Sequence, residues 1–276
     1  NDKVKQVPLA ILHRYFQKGT GNYKGYLKVK KEVHCDMTNT LYITGAGVSS
    51  ASGIPTFRGE DGFWTIGSNN YTPQEMATRA MYQHNPAEFL AWYYTRFVTY
   101  RNHGPNKAHY WLADKNLITQ NIDGLDGKAG NQHYISIHGR IDHVTLYHEQ
   151  GPVVERFNAP WQDVDEQNLK ASLLDIFKIS KHGPELNVSL KPYVLLFDEF
   201  YTDLYQITEA QNRMYNADKM VFIGTSFSVN ITQMALEVAR QNAIPIEIVD
   251  PNPAHVLHSD VTYHQMTALE YIEKIS

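Results

Sequence analysis

A chain of 276 residues with 42% hydrophobic and 20% charged side chains can bury one large core, or a larger and a smaller one, and reads as an ordinary globular protein. Its net charge of −4 and pI near 6.4 give no reason to expect nucleic-acid binding, and no apolar run nears the ~20 residues of a membrane span. The single cysteine, Cys35, excludes an internal disulfide framework and fits a reducing compartment; with no apolar signal core at the N-terminus, a cytoplasmic location is expected.

In chain order, Val7-Pro8-Leu9-Ala10-Ile11-Leu12 through Phe16 predicts a short helix stopped by Gly19 to Gly21, and the basic cluster Lys28 to Lys31 reads as a solvated face. Leu41-Tyr42-Ile43 is a short apolar run of the kind found in buried parallel strands. Gly45-Ala46-Gly47 follows at once, where a turn needs positive φ or a ligand must approach the backbone. Serines 49, 50 and 52 offer N-cap oxygens at a helix start whose N–H groups favour a phosphate. The spacing departs from the dinucleotide fingerprint, because Gly53 falls three residues beyond the place of the third glycine.

From 59 to 100 the apolar spacing turns helical and rich in aromatics: Phe63, Trp64, Tyr71, Phe89, Trp92, Tyr93 and Phe97, a stripe suited to core packing. Pro73 and Pro86 mark two helix starts. A helix through Ala108, Tyr110, Trp111 and Leu112 leads to a strand at Leu117-Ile118-Thr119, which ends in Gln120-Asn121-Ile122-Asp123. Tyr134-Ile135-Ser136-Ile137 ends in His138-Gly139, and Tyr193–Phe197, Met220–Ile223 and Ile246–Val249 add three more strands. Short strands alternating with helices predict an α/β fold with a doubly wound, Rossmann-like parallel sheet, whose strand ends gather polar motifs where such sheets bind ligands.

Gly45-Ala46-Gly47 with Ser49, continued by Ser52-Gly53-Ile54-Pro55-Thr56-Phe57-Arg58, resembles the NAD-binding signature of the sirtuins. Thr119-Gln120-Asn121-Ile122-Asp123 followed by His138-Gly139 is similar to their second signature, and Gly224-Thr225-Ser226 to their adenosine-side loop. His84-Asn85-Pro86 resembles a helix boundary of the same family. The resemblance implies an NAD-dependent protein-lysine deacylase that releases nicotinamide and O-acyl-ADP-ribose, with an acylated-lysine protein or peptide as partner. It implies that Asp123 and the Ile122 backbone hold the nicotinamide carboxamide, that Phe57 covers that pocket, and that Arg58 and Gln120 support the cofactor. Asn121 would orient the ribose, and Asp250, standing where most relatives have Asn, would accept from ribose hydroxyls. His138 would be the general base, a task that an ordinary imidazole pKa of about 6.5 suits. The implied organisation is an N-terminal extension over 1–36, an NAD-binding domain from 37–58, 101–140 and 190–276, and a smaller inserted helical domain from 59–100 and 141–189.

Two departures stand out. Most sirtuins carry paired cysteines for a structural zinc after the His-Gly motif, and residues 139–190 contain none. His143, His148 and His182 make a poor substitute, so no metal is expected. An apolar helix is expected in its place, with Asp163 and Glu166 at capping-box spacing, Leu169, Leu173, Ile176 and Phe177 on one face, and Phe157 and Trp161 beside it. The second departure lies in Lys191-Pro192-Tyr193-Val194-Leu195-Leu196-Phe197-Asp198-Glu199, which resembles the family's substrate loop. The Leu195 carbonyl would receive the acyl-lysine N–H, with Phe197 alongside, but Asp198 replaces a glycine and would narrow the peptide cleft or repel acidic peptides. Ile231 also replaces a proline. The competing readings are an NAD glycohydrolase or ADP-ribosyltransferase of the sirtuin-like type, and a nucleotide-binding module without activity. Finally, Tyr93 and Arg96 stand three apart on one predicted helix and resemble the pair with which some sirtuins read succinyl or malonyl groups.

Overall fold

The computed structural model describes residues 39–56 and 71–276, all within one unit, Thr38–Ser276. The expected helix over Val7–Phe16, the Lys28–Lys31 cluster, Cys35, Phe57, Arg58, Phe63 and Trp64 lie outside the described residues. The strands are β1 (Thr40–Thr44), β2 (Asn116–Thr119), β3 (Ile135–Ser136), β4 (Gly139–Leu146), β5 (Arg156–Asn158), β6 (Leu190–Val194), β7 (Lys219–Ile223), β8 (Ile246–Val249) and β9 (Val261–His264). The described helices are α1 (Pro73–Met76), α2 (Arg79–His84), α3 (Pro86–Tyr100), α4 (Lys107–Trp111), α5 (Leu125–Lys128), α6 (Leu169–Ile176), α7 (Ile207–Tyr215), α8 (Asn230–Gln241) and α9 (Ala268–Ile275), joined by short 3₁₀ turns.

Six strands pair in parallel in the order β3-β2-β1-β7-β8-β9. Alternation along β1 explains the double winding. Leu41 and Ile43 join Ile118, Phe222 and Ile248 against Met214 of α7 and Ile231 and Ala235 of α8. Tyr42 points the other way, with Leu117, Val221 and Ile223, against Ala108, Leu112, Tyr271 and Ile272 from α4, its following turn and α9. Because successive strand residues face opposite sides, apolar residues at every position require helices on both faces. Ile231, which departs from the family's proline, is a fully buried core residue here.

The strand at Tyr193–Phe197 corrects the sequence-based expectation. Its extended segment is Leu190–Val194, and it pairs antiparallel with β4 in a separate sheet of order β5-β4-β6. Local apolarity cannot name a strand's partner, and β4 carries polar residues that hid it. The first residue of β4 shows why the pairing is tight: Gly139 has φ +81°, and a Cβ there would meet the Tyr193 carbonyl oxygen at 2.1 Å. The two sheets therefore divide after Val194, and Gly139–Arg140 belong with the smaller one.

The small sheet shares a core with α3 and α6. Asn85 caps α3 by accepting from Glu88 N–H, and Pro86 occupies its first turn, as the sequence predicts. Phe89, Trp92 and Tyr93 are buried and in ring contact. The expected apolar helix is α6, with Leu173 and Phe177 fully buried and Trp161 packed on Phe177 at 4.8 Å. Three details differ. The helix begins at Leu169 without a side-chain cap, Asp165 rather than Asp163 caps the 3₁₀ turn Glu166–Asn168 before it by accepting from Gln167 N–H, and Phe157 is exposed on β5. His143 and His148 place Nδ1 against Asp142 and the Glu149 carbonyl, and no group of three metal-binding side chains forms among the described residues. These histidines, with no thiolate in residues 139–190, are a poor donor set for a structural zinc. Leu173→Asp is expected to destabilise the protein by about 3 kcal/mol or more, because it buries an unpaired carboxylate; urea denaturation measures it, and a loss under about 1 kcal/mol would mean that α6 is peripheral. Among the described residues no helix is long and apolar enough to cross a membrane.

Candidate functional site

The order of the parallel sheet reverses between β1 and β7, so the loops after these two strands diverge and leave a crevice at their carboxyl ends. Both loops begin with glycine. A Cβ on Gly47 would meet Gly224 Cα at 2.6 Å, and Gly224 itself has φ +62°. Gly47 N–H donates to the Gly224 carbonyl at 3.0 Å, locking the loops together. Gly45 N–H likewise donates to the Ile223 carbonyl at 3.0 Å, so the glycines serve first to let the two loop backbones meet where no Cβ would fit. The stretch after β1 is not the start of a helix, however. Ala46–Val48 and Ser50–Ser52 form two 3₁₀ turns without side-chain caps, and the serines act elsewhere: Ser50 Oγ donates to the Gly47 carbonyl, and Ser49 meets the loop after β2.

Ser49 is the hub of a buried hydrogen-bond network. Its hydroxyl donates to Asp123 Oδ2 at 2.7 Å and accepts from Asn121 Nδ2 at 3.1 Å. His109 Nε2 lies 3.4 Å from the same oxygen. Asn106 N–H donates to His109 Nδ1, so the proton of a neutral ring resides on Nε2, facing Ser49. Burial lowers the pKa of His109, opposed by the negative charge of Asp123. Sequence reading left His109 without a role; its only local signal is the N-cap Asn106 three residues earlier, and its contact with Ser49 is purely tertiary. Asp123 Oδ1 accepts from Leu125 N–H, and Asn121 Nδ2 also donates to the Gly45 carbonyl, so both side chains are held from two sides.

Gln120 is a brace. Its Nε2 donates to the Thr44 carbonyl at 3.0 Å and to Thr225 Oγ1 at 3.1 Å, tying together the ends of β1, β2 and β7. Ser226 Oγ lies 2.6 Å from Ser228 Oγ. Ile54 is buried with its N–H on the Ser49 carbonyl, and the Ile122 carbonyl accepts from Ile141 N–H. Asp250 closes the end of β8, with Oδ1 accepting from Asn252 N–H at 2.8 Å. Phe57 and Arg58 lie outside the described residues.

His138 stands where β3 ends. Its Nδ1 lies 2.9 Å from the Gln120 carbonyl oxygen and its Nε2 2.9 Å from the Tyr201 hydroxyl. Burial lowers its pKa to about 4, opposed by the Gln120 hydrogen bond, so the ordinary value near 6.5 does not hold here. The ring is neutral throughout the physiological range. Leu195 N–H donates to the His138 carbonyl at 2.9 Å, which sets the segment after β6 beside this histidine. Phe197 N–H donates to the Ala77 carbonyl, and its ring is 56% exposed.

Asp198 has partners on α2. Its carboxylate accepts from the N–H groups of Arg79, at 2.6 Å, and Ala80, at 3.1 Å, so it caps α2. Glu199 lies beneath it in a buried ionic cluster that sequence reading missed. Lys191 Nζ contacts Glu199 Oε2 at 3.1 Å and donates to the Val194 carbonyl, while Arg79 Nη1 meets Glu199 Oε1 at 3.1 Å. Glu199 Oε2 also accepts from Leu196 N–H. Burial lowers the pKa of Lys191, and Glu199 opposes it. The segment 195–199 is thereby pinned to α2.

Tyr93 and Arg96 are both buried on α3, at 0% and 1% exposure. Arg96 stacks on Trp92, with its guanidinium carbon 3.3 Å from the ring centroid, and donates to the Trp92 carbonyl. Burial lowers its pKa to about 9, opposed by Tyr93 and Tyr100. The Tyr93 hydroxyl has no hydrogen-bond partner among the described residues.

A family model described as the Sir2 family matches residues 45–231. An NAD-dependent protein deacylase of Caldanaerobacter subterraneus subsp. tengcongensis is 31% identical over 255 residues, spanning 90% of this chain and 96% of that protein. A mutant Sir2 homologue solved with ADP-ribose superposes with a TM-score of 0.68 at 28% identity, over 86% of this chain and 90% of its own. A Sir2 homologue solved with NAD gives 0.65 at 27% identity, over 86% and 88%.

Proposed function

The chain belongs to the Sir2 family, and on that premise we propose that it removes acyl groups from protein lysines with NAD, that His138 is the general base, and that acidic acyl groups are preferred. What supports the first two points is that Asn121 and Asp123 meet on Ser49 beside the Gly45 loop, while His138 rests on the carbonyl of Gln120, the residue before Asn121. NAD, when bound, supplies an electrophilic ribose carbon and nicotinamide as leaving group. The chain does the rest. Asp123, fixed by Ser49 and Leu125, presents a carboxylate to the nicotinamide carboxamide together with the Ile122 N–H. Asn121, anchored on Gly45 and Ser49, orients the ribose. Gly45, Ala46 and Gly47 line the pyrophosphate, and Thr225, Ser226 and Asp250 border the adenosine side. His138 takes a proton at Nε2 from a ribose hydroxyl, its Nδ1–H remaining on the Gln120 carbonyl. The low pKa leaves the ring unprotonated and ready at neutral pH, with a smaller driving force for each transfer. An extended acyl-lysine peptide pairs with the backbone at Leu195–Phe197.

Asp198 has a structural task on α2, so its departure from the family's glycine is no sign of altered chemistry; this favours deacylation over NAD glycohydrolysis or ADP-ribosyl transfer. Nicotinamide release measured with and without an acyl-lysine peptide separates them, and equal rates in both would reject the deacylase.

The acyl preference rests on Tyr93 and Arg96. A phenol hydroxyl and a guanidinium three residues apart on one helix are the two groups that suit a carboxylate. Arg96→Met is expected to lower activity on a succinyl-lysine peptide about 10- to 100-fold more than on an acetyl-lysine peptide, the effect of losing a charge-assisted bond of about 1.5–3 kcal/mol. An equal fall on both peptides would make Arg96 a core residue only.

A further inference from the structure

The Tyr201 contact goes beyond the roles assigned above. Its hydroxyl sits 2.9 Å from His138 Nε2, and the two rings lie 5.9 Å apart at 32°. The direction of this hydrogen bond is fixed by its neighbour. The Gln120 carbonyl can only accept, so Nδ1 carries the proton of the neutral imidazole. Nε2 is then a bare lone pair, and the Tyr201 hydroxyl must be the donor. Burial raises the pKa of Tyr201, and the Ile231 backbone N–H in the first turn of α8 opposes it by acting on the same oxygen. A tyrosine held protonated is a permanent donor.

We propose that Tyr201 is the positioning residue of the general base: its hydroxyl donates to His138 Nε2 and, with the Gln120 carbonyl on Nδ1, holds the imidazole in its Nδ1–H form. The inference rests on His138 being the base. Nε2 has one in-plane lone pair, so a ribose hydroxyl reaches it only by taking the place of the Tyr201 hydroxyl. Tyr201 therefore holds the ring in register until the cofactor displaces it. Besides Tyr201 and Gln120, no charged or titratable side chain among the described residues acts on this ring. Local sequence offers no hint of the pair, because 63 residues separate the two partners.

The test is nitrogen-15 NMR of the imidazole in the cofactor-free protein, with His138 assigned by the signal lost in His138→Gln. The wild type is expected to show the Nδ1–H tautomer. Tyr201→Phe keeps the ring and removes only the hydroxyl, so it is expected to raise the proton affinity of His138 about 3- to 10-fold, since a hydrogen bond to the neutral form is gone. The acid limb of kcat/KM for nicotinamide release should move to higher pH by the same factor. A wild-type Nε2–H tautomer overturns the proposal without any variant, and so does an unchanged proton affinity in Tyr201→Phe. If instead the wild type releases no nicotinamide while the NMR results hold, the deacylase function fails and the positioning of His138 stands.

Discussion

His138→Ala is expected to bind NAD nearly as the wild type does and to lose deacylation by about 10²-fold or more, because the base is removed while the crevice between β1 and β7 is untouched. NAD affinity by calorimetry and turnover on an acyl-lysine peptide are the two measurements. Wild-type turnover in the variant would remove His138 from the mechanism. The pH dependence follows from the same residue. Its folded-state pKa of about 4 lies below the unfolded value near 6.5, so the folded protein binds fewer protons in between. The penalty is absent above about 6.5 and grows as pH falls toward 4. Activity should persist through the mildly acidic range where an ordinary histidine base would already be protonated, and stability should decline there.

Glu199→Ala carries the second large effect. Among the described residues it leaves Lys191, 2% exposed, with the Val194 carbonyl as its remaining hydrogen-bond partner, and it removes the acceptor of Leu196 N–H and of Arg79 Nη1, while Arg79 keeps the His148 carbonyl. Breaking a buried ion pair from one side costs about 3–5 kcal/mol, and urea denaturation should show a loss of that order. Replacing both partners, as Lys191→Met with Glu199→Leu, should recover much of it, because no charge is then left uncompensated. A single-variant loss under about 1 kcal/mol would mean that water already solvates the cluster. Since Glu199 and Asp198 together pin residues 195–199 to α2, KM for the peptide should rise in Glu199→Ala while NAD affinity holds.

How much was legible in the chain itself follows from the range of the forces involved. Leu41-Tyr42-Ile43, Met220–Ile223 and Ile246–Val249 are strands wherever they sit, since short apolar runs between glycines and polar turns have few other solutions. The motifs at strand ends, Gly45-Ala46-Gly47, Gln120–Asp123 and His138-Gly139, are contiguous, so their resemblance to the signatures of a known family, and the cofactor it implies, can be read from the chain. Asn85-Pro86 marked a helix start for the same local reason. Tertiary structure decided what depends on partners remote in sequence. Leu190–Val194 left the parallel sheet because β4, hidden by its polar residues, pairs with it in the other direction. Asp198 caps α2, 119 residues away along the chain. His109 met Ser49, Lys191 and Arg79 met on Glu199, and burial drew the His138 pKa down to about 4. None of these is a property of a residue type. Each is set by how much water the folded chain excludes and which dipoles and charges it leaves in water's place, and that is known only when distant segments have packed.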